Sequence, residues 1–181
     1  MDIARVLART ADGDREAFAE VVETFQRPLF GFLGRMGLTE AVAAEIAQET
    51  FMRAWRNLAQ YEPDRAEFST WLFSIARNIA LNELTRAGGR HEVRTGNATV
   101  DATLEESPPL DQTEREQTGV RLRRLLARLP LADRTALALT YVKELKIAEI
   151  AALEGTTVGA IKTRLHRARS QLREWLEVDN E

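Results

Sequence analysis

The sequence predicts an all-α fold: two small helical domains joined by a flexible acidic linker. Three observations predict it. Apolar residues recur at spacings of three and four from Phe18 to Ile79 and again from Leu122 onward. No stretch sustains the alternation of a half-buried strand. Between the two periodic regions lie Thr95-Gly96-Asn97-Ala98-Thr99 and Ser107-Pro108-Pro109, which are turn and linker chemistry. A length of 181 residues suits two modest domains, and 44% hydrophobic content suffices to build their cores. The boundaries fall at 1–90, 91–114 and 115–181.

Taken in order, residues 14–36 form an amphipathic helix, with Phe18, Val21, Val22, Phe25, Leu29, Phe32, Leu33 and Met36 on one face and Gly37 as its stop. A second helix over 40–59 turns Ile46, Phe51, Ala54, Trp55 and Leu58 inward. Its other face presents Glu45, Gln48, Glu49, Met52 and Arg56. Pro63, in the loop that follows, blocks continuation of that helix. Ser69 is placed to cap a third helix that runs to about Arg86 and stops at Gly88-Gly89. That helix packs through Leu72, Ile75, Ala76 and Ile79, while Trp71, Ser74, Asn78 and Asn82 line another face. Beyond the linker, Leu122, Leu125, Leu126 and Leu129 belong to a helix ended by Pro130. Leu137, Leu139 and Val142 belong to the next, and shorter helices follow over about 146–153 and 157–176.

Net charge is -3, but it is unevenly spread. Residues 1–90 carry -2, residues 91–114 carry -5 and residues 115–181 carry +4. The C-terminal domain is therefore the candidate for binding phosphates, and the middle is an acidic strap.

Within that basic domain, residues 147–166 have the spacing of a helix-turn-helix. Ala151 is small enough for two helices to cross over it, Gly155 tolerates the positive φ of a tight turn, and Ile161 and Leu165 point back into the domain. The exposed side of the second helix then carries Lys162, Thr163, Arg164, His166, Arg167 and Arg169, and no Asp or Glu stands between Gly155 and Arg173. A helix so charged suits the DNA major groove, with Thr163, Arg164 and His166 in reach of base edges and an arginine on guanine the most discriminating contact. A second nucleic-acid surface is predicted on the third helix and the loop before it. There, the aromatics Phe68 and Trp71 and the amides Asn78 and Asn82 stand among Arg65, Arg77 and Arg86, a mixture that suits unstacked bases.

Several function classes are excluded or disfavoured. No apolar run approaches the ~20 residues of a membrane span, and Met1-Asp2-Ile3-Ala4-Arg5 lacks the apolar segment of a signal peptide, so a cytoplasmic protein is expected. The chain contains no cysteine, which removes disulfides and thiolate metal sites. With two histidines, and without phosphate-loop, dinucleotide or zinc-protease motifs, no enzyme site, metal or cofactor is expected. Glu45 and Glu49, one turn apart, read as a solvated helix face. On these grounds alone, a free-standing dimeric DNA-binding regulator and a protein-binding adaptor both stay open.

Two segments add to this. Glu45-Ile46-Ala47-Gln48-Glu49-Thr50-Phe51-Met52-Arg53-Ala54-Trp55, followed by Thr70-Trp71-Leu72-Phe73-Ser74-Ile75-Ala76-Arg77-Asn78, resembles the N-terminal domain of bacterial extracytoplasmic-function sigma factors of the sigma-70 family. Ala148-Glu149-Ile150-Ala151, followed by Val158 to Arg169, is similar to their C-terminal domain. The resemblance implies a sigma-2-like helical bundle and a sigma-4-like helix-turn-helix. It implies that Glu45, Gln48, Glu49, Met52 and Arg56, within 45–58, dock on the clamp helices of core RNA polymerase, with the flap as a further contact. Phe68, Trp71, Asn78 and Asn82 would serve the minus-10 element, with Asn78 capturing a flipped base. Lys162, Thr163, Arg164, His166 and Arg167 would read the minus-35 element, the linker would thread the RNA exit path, and a separate anti-sigma factor would regulate. Two departures bear on promoter choice: Lys146-Ile147-Ala148 opens the C-terminal motif, and Glu154-Gly155-Thr156-Thr157 forms its turn, where Thr156 or Thr157 can still cap the helix.

Overall fold

The computed structural model describes residues 3–11, 13–94, 114–142 and 145–178. Among these, every regular element is helical: α1 (Ile3–Ala11), α2 (Arg15–Arg35), α3 (Glu40–Arg56), a 3-10 turn (Leu58–Gln60), α4 (Phe68–Arg94), α5 (Glu114–Arg128), α6 (Leu131–Thr140), α7 (Ile147–Leu153) and α8 (Val158–Val178). The greater part of the predicted linker, residues 95–113, lies outside the described residues.

Local chemistry sets most of the boundaries. The Asp14 carboxylate accepts the N–H groups of Glu16 and Ala17 at the start of α2. Arg9 donates to the same carboxylate, and this pairing holds its pKa below the usual range. Gly37, at φ +83°, turns the chain out of α2. Thr39 then caps α3 through the Val42 N–H at 3.4 Å. Pro28 sits inside α2 and removes one backbone hydrogen bond without ending the helix.

Three expectations need correction. The helix α1 had no counterpart in the periodicity analysis. Ser69 does not cap α4, because the helix already begins at Phe68 and Ser69 is buried within its first turn. Nor do Gly88 and Gly89 stop that helix, which continues to Arg94. Glycine raises the cost of a helical position by about 1 kcal/mol but does not forbid it.

The two domains do not stand apart. Leu29, Phe32 and Leu33 of α2, Met36 just after it, and Phe73 and Ala76 of α4 share one apolar core with Leu126 of α5, Leu129 just after it, Leu137 and Leu139 of α6, Ile150 of α7, and Ile161 and Leu165 of α8. The α2 helix packs on α5 and α6, and α4 meets α7. At the edge, the Arg35 guanidinium lies 4.6 Å from the centre of the Tyr141 ring. A smaller core joins Val6 and Leu7 of α1 to Ala17, Phe18 and Val21 of α2, Ala54 of α3, and Phe68 and Leu72 of α4.

Candidate nucleic-acid interface

The helix-turn-helix forms as its spacing requires. Ala151 is buried at the crossing of α7 and α8, Gly155 takes φ +59° in the turn, and Ile161 and Leu165 are buried. The Thr157 hydroxyl accepts the Ala160 N–H and caps α8. At the head of α7, the Lys146 N–H donates to Glu149 Oε2 at 2.7 Å. Lys162, Thr163 and His166 are exposed on the outer side of α8. Lys162, His166, Arg169 and Arg173 rim a shallow groove of about 400 Å³ floored by Ile147 and Leu165. Its scale and charge suit phosphates.

The other two basic residues predicted to read DNA differ from these. Arg164 is half-buried, and its Nη1 donates to Glu154 Oε2 at 3.3 Å. Arg167 grips both carboxylate oxygens of Asp133, whose side chain is fully buried. These hydrogen bonds, and then the charge of Asp133, raise the arginine's pKa further. In this arrangement Arg167 ties α8 to α6, and its outward half alone is left for a phosphate.

On α4, Asn78 and Asn82 are exposed and Trp71 is half-buried. Phe68, expected beside them on the outward face, is only 1% exposed. Its ring packs against Phe25, Tyr61 and Trp71 at centroid distances of 5.3 to 5.6 Å. Burying this large ring outweighs any outward role, so Phe68 supports Trp71 from below.

On α3, Glu45, Gln48, Met52 and Arg56 are exposed, and Glu49 is half-buried and paired with Arg53 at 2.6 Å. They lie along one side of α3, polar apart from Met52. Glu45 and Glu49 also line a groove with Ile79, Asn82 and Glu83 of α4. Trp55, expected inward, is 37% exposed and meets the Phe18 ring edge-to-face, so the stripe has an aromatic margin.

Sequence reasoning missed Glu149 and Glu154, which link α7 and the turn after it to α4. Glu149 Oε1 accepts from the Thr70 hydroxyl at 2.8 Å, and Glu154 Oε1 accepts from Arg77 Nε at 2.6 Å. Nothing local marks these partners, which lie 79 and 77 residues apart.

Comparison with known proteins agrees with this geometry. Residues 21–90 match the family Sigma-70 region 2, and residues 119–172 match Sigma-70, region 4. The ECF RNA polymerase sigma factor RpoE of Cereibacter sphaeroides is 33% identical, across 89% of this chain and 87% of its own. SigW of Bacillus subtilis, also an ECF RNA polymerase sigma factor, is 29% identical across 97% of both chains. Among solved structures, CnrH in complex with the cytosolic domain of CnrY superposes with a TM-score of 0.71 at 26% identity, covering 96% of each chain. Two family matches in order, on an intact helix-turn-helix and an α3–α4 pair, place the chain among the extracytoplasmic-function RNA polymerase sigma factors of the sigma-70 family.

Proposed function

We propose the following division of labour within this sigma factor. Residues 1–90 dock on core RNA polymerase and open the promoter, residues 91–114 link, and residues 115–181 read duplex upstream. The α3 stripe of Glu45, Gln48, Glu49, Met52 and Arg56 meets the clamp helices. The outer face of α4, with Trp71, Asn78 and Asn82, receives an unstacked base of the minus-10 element, where a pocket for an extruded base offsets the few kcal/mol of unstacking. Lys162, Thr163, Arg164 and His166 engage the minus-35 element. The observation that carries this reading is the outer face of α8 from Val158 to Arg173, which has no acidic residue and stands on a complete helix-turn-helix.

The chain acts as a binding subunit without turnover of its own, and in the cytoplasm, where the polymerase is. We also assign its control to an anti-sigma protein. The relative CnrH is held by the cytosolic domain of another protein, and a chain without cysteine leaves thiol-based sensing to a partner.

Transcription from genomic fragments with purified core polymerase tests the whole reading, and start sites that do not depend on added chain would end it. Two substitutions test its parts. Reversing charge at Glu45 and Glu49 should weaken polymerase association at least tenfold while lowering the thermal midpoint only slightly, since Glu45 is exposed and a pair such as Glu49–Arg53 is worth about 0.3–0.5 kcal/mol. Unchanged association in a pull-down would remove the α3 stripe from the docking face. Asn78→Ala should lower open-complex formation, followed by permanganate footprinting, far more than it lowers polymerase binding. Equal losses would count against base capture.

A further inference from the structure

The arginines of α5 have no part in the division of labour above. From Gln117 to Ala132 the chain contains no acidic residue, yet it contains Arg121, Arg123, Arg124 and Arg128. Arg121, Arg124 and Arg128 recur at spacings of three and four, so they share one face of α5, and all three are exposed. Among the described residues, neither Arg124 nor Arg128 has a carboxylate partner. Like charges one turn apart repel and weaken a helix, and a polyanion that neutralises them removes that cost.

An aromatic ring stands beside this row. The Arg128 guanidinium lies 4.5 Å from the centre of the Trp175 ring on α8, and Trp175 is half-buried. The acids nearest to Trp175 in sequence, Glu174 and Glu177, stand about 100° and 160° round α8 from it, at about 3.6 residues per turn. Nine residues separate His166 from Trp175, about two and a half turns, so these two side chains leave α8 on opposite sides. The face of α8 that carries Lys162 and His166 therefore looks away from the arginines of α5.

We infer that the Arg121, Arg124 and Arg128 face, with Trp175 at its edge, is a binding site for single-stranded RNA, and that the strand it takes is the transcript leaving the polymerase. The inference rests on the assignment of α8 to upstream duplex and of α4 to melted DNA, which leaves the transcript as the nucleic acid without a seat on this chain. A duplex held on the Lys162 face cannot also serve α5, because α8 stands between them with a thickness of about 10–12 Å. Cations in a row beside an aromatic ring suit an unpaired strand, whose phosphates meet the arginines and whose bases can stack on the indole. A duplex keeps its bases stacked on one another and would leave Trp175 unused. From Arg121 to Arg128 is about 10 Å along α5, which matches about three phosphates of a stacked strand at about 3.4 Å each.

Fluorescence anisotropy of a labelled oligouridine of about 12 nucleotides with the full-length chain tests the site. Affinity should fall with salt at a log–log slope of about -2, from about 0.7 per phosphate contact on a single strand. Arg124→Gln with Arg128→Gln should weaken RNA binding about tenfold and cut the slope by about 1.4, while affinity for an upstream promoter duplex stays within about twofold. The unchanged duplex affinity would also show that the variant folds. Lys162→Gln with His166→Gln should do the reverse. Unchanged RNA affinity in the α5 variant overturns the inference, as does an equal loss of RNA binding in the α8 variant. Trp175→Phe should retain RNA affinity that Trp175→Leu loses, and equal binding by the two would overturn the preference for an unpaired strand.

The source of the strand is tested in transcribing complexes. A photoreactive thiouridine at the 5′ end of transcripts made with core polymerase should cross-link to this chain once the strand is long enough to emerge. Arg124→Gln with Arg128→Gln should lose that product. Absence of a cross-link at every transcript length overturns the assignment to the transcript. Failure of the unmodified chain to bind promoter duplex would instead strike the assignment of α8, and the oligouridine result would stand by itself.

Discussion

Replacing Phe73 by Ala should destabilise the protein by about 3–5 kcal/mol. The side chain is fully buried on α4, and its ring meets Phe32 of α2 edge-to-face at 5.6 Å. Removing it forfeits the transfer free energy of an aromatic side chain, leaves a void that helices cannot fully close, and gives up a ring pair worth ~1 kcal/mol. Domains of this size are stable by only about 5–15 kcal/mol, so a large share would be lost. The natural tryptophans make the outcome readable. Trp71 lies on α4, and Trp175 packs on Arg128 in the C-terminal domain at 4.5 Å. Because the core containing Phe73 runs on into α5, α6, α7 and α8, both signals should shift to lower temperature together. A Trp175 transition that stays in place would show that the two domains melt independently.

Arg164 and Arg167 should respond in opposite ways to Ala, although both were expected to read DNA. Arg164→Ala removes a side chain that the proposed function assigns to a base edge. The loss should be about 1–3 kcal/mol of promoter binding, concentrated at one upstream base pair, with little change in thermal stability. Arg167→Ala leaves the buried Asp133 carboxylate without its guanidinium, and a buried charge stripped of its partner is costly. The thermal midpoint should fall, and discrimination between promoters should survive. Arg167→Lys should recover part of that stability, since one ammonium cannot replace a two-pronged guanidinium. Binding to a panel of single-base promoter variants, measured beside melting curves, separates the two. If Arg167→Ala relaxes base preference and melts normally, the reader is Arg167.

What could be read from the sequence was whatever is written locally. Helix α2 announced itself by period, and the helix-turn-helix by three residues whose steric demands differ: Ala151, Gly155 and Ile161. What could not be read depends on long-range competition. Phe68 and Trp71 are both aromatic and three residues apart on one helix, and only the packing of Tyr61 and Phe25 decides which ring is covered. Trp55 follows the buried Ala54 yet ends at the margin, 37% exposed beside the Phe18 ring of α2. Glu149 and Glu154 looked like ordinary members of a short helix and its turn. Their partners are decided by how two domains close on each other, and no local pattern encodes that.

The shortest helix of the N-terminal domain apart from its single 3-10 turn has a practical consequence. Val6 and Leu7 of α1 share one apolar core with Phe18, Ala54 and Phe68, and the Phe68 ring packs against Trp71. The family match begins only at residue 21. A truncated protein trimmed to that boundary would keep every residue assigned to DNA or polymerase, yet it would bare a greasy underside and let the Trp71 indole sag. Anyone shortening this molecule for a binding assay should keep the first twenty residues, or a weak signal will be blamed on the wrong part.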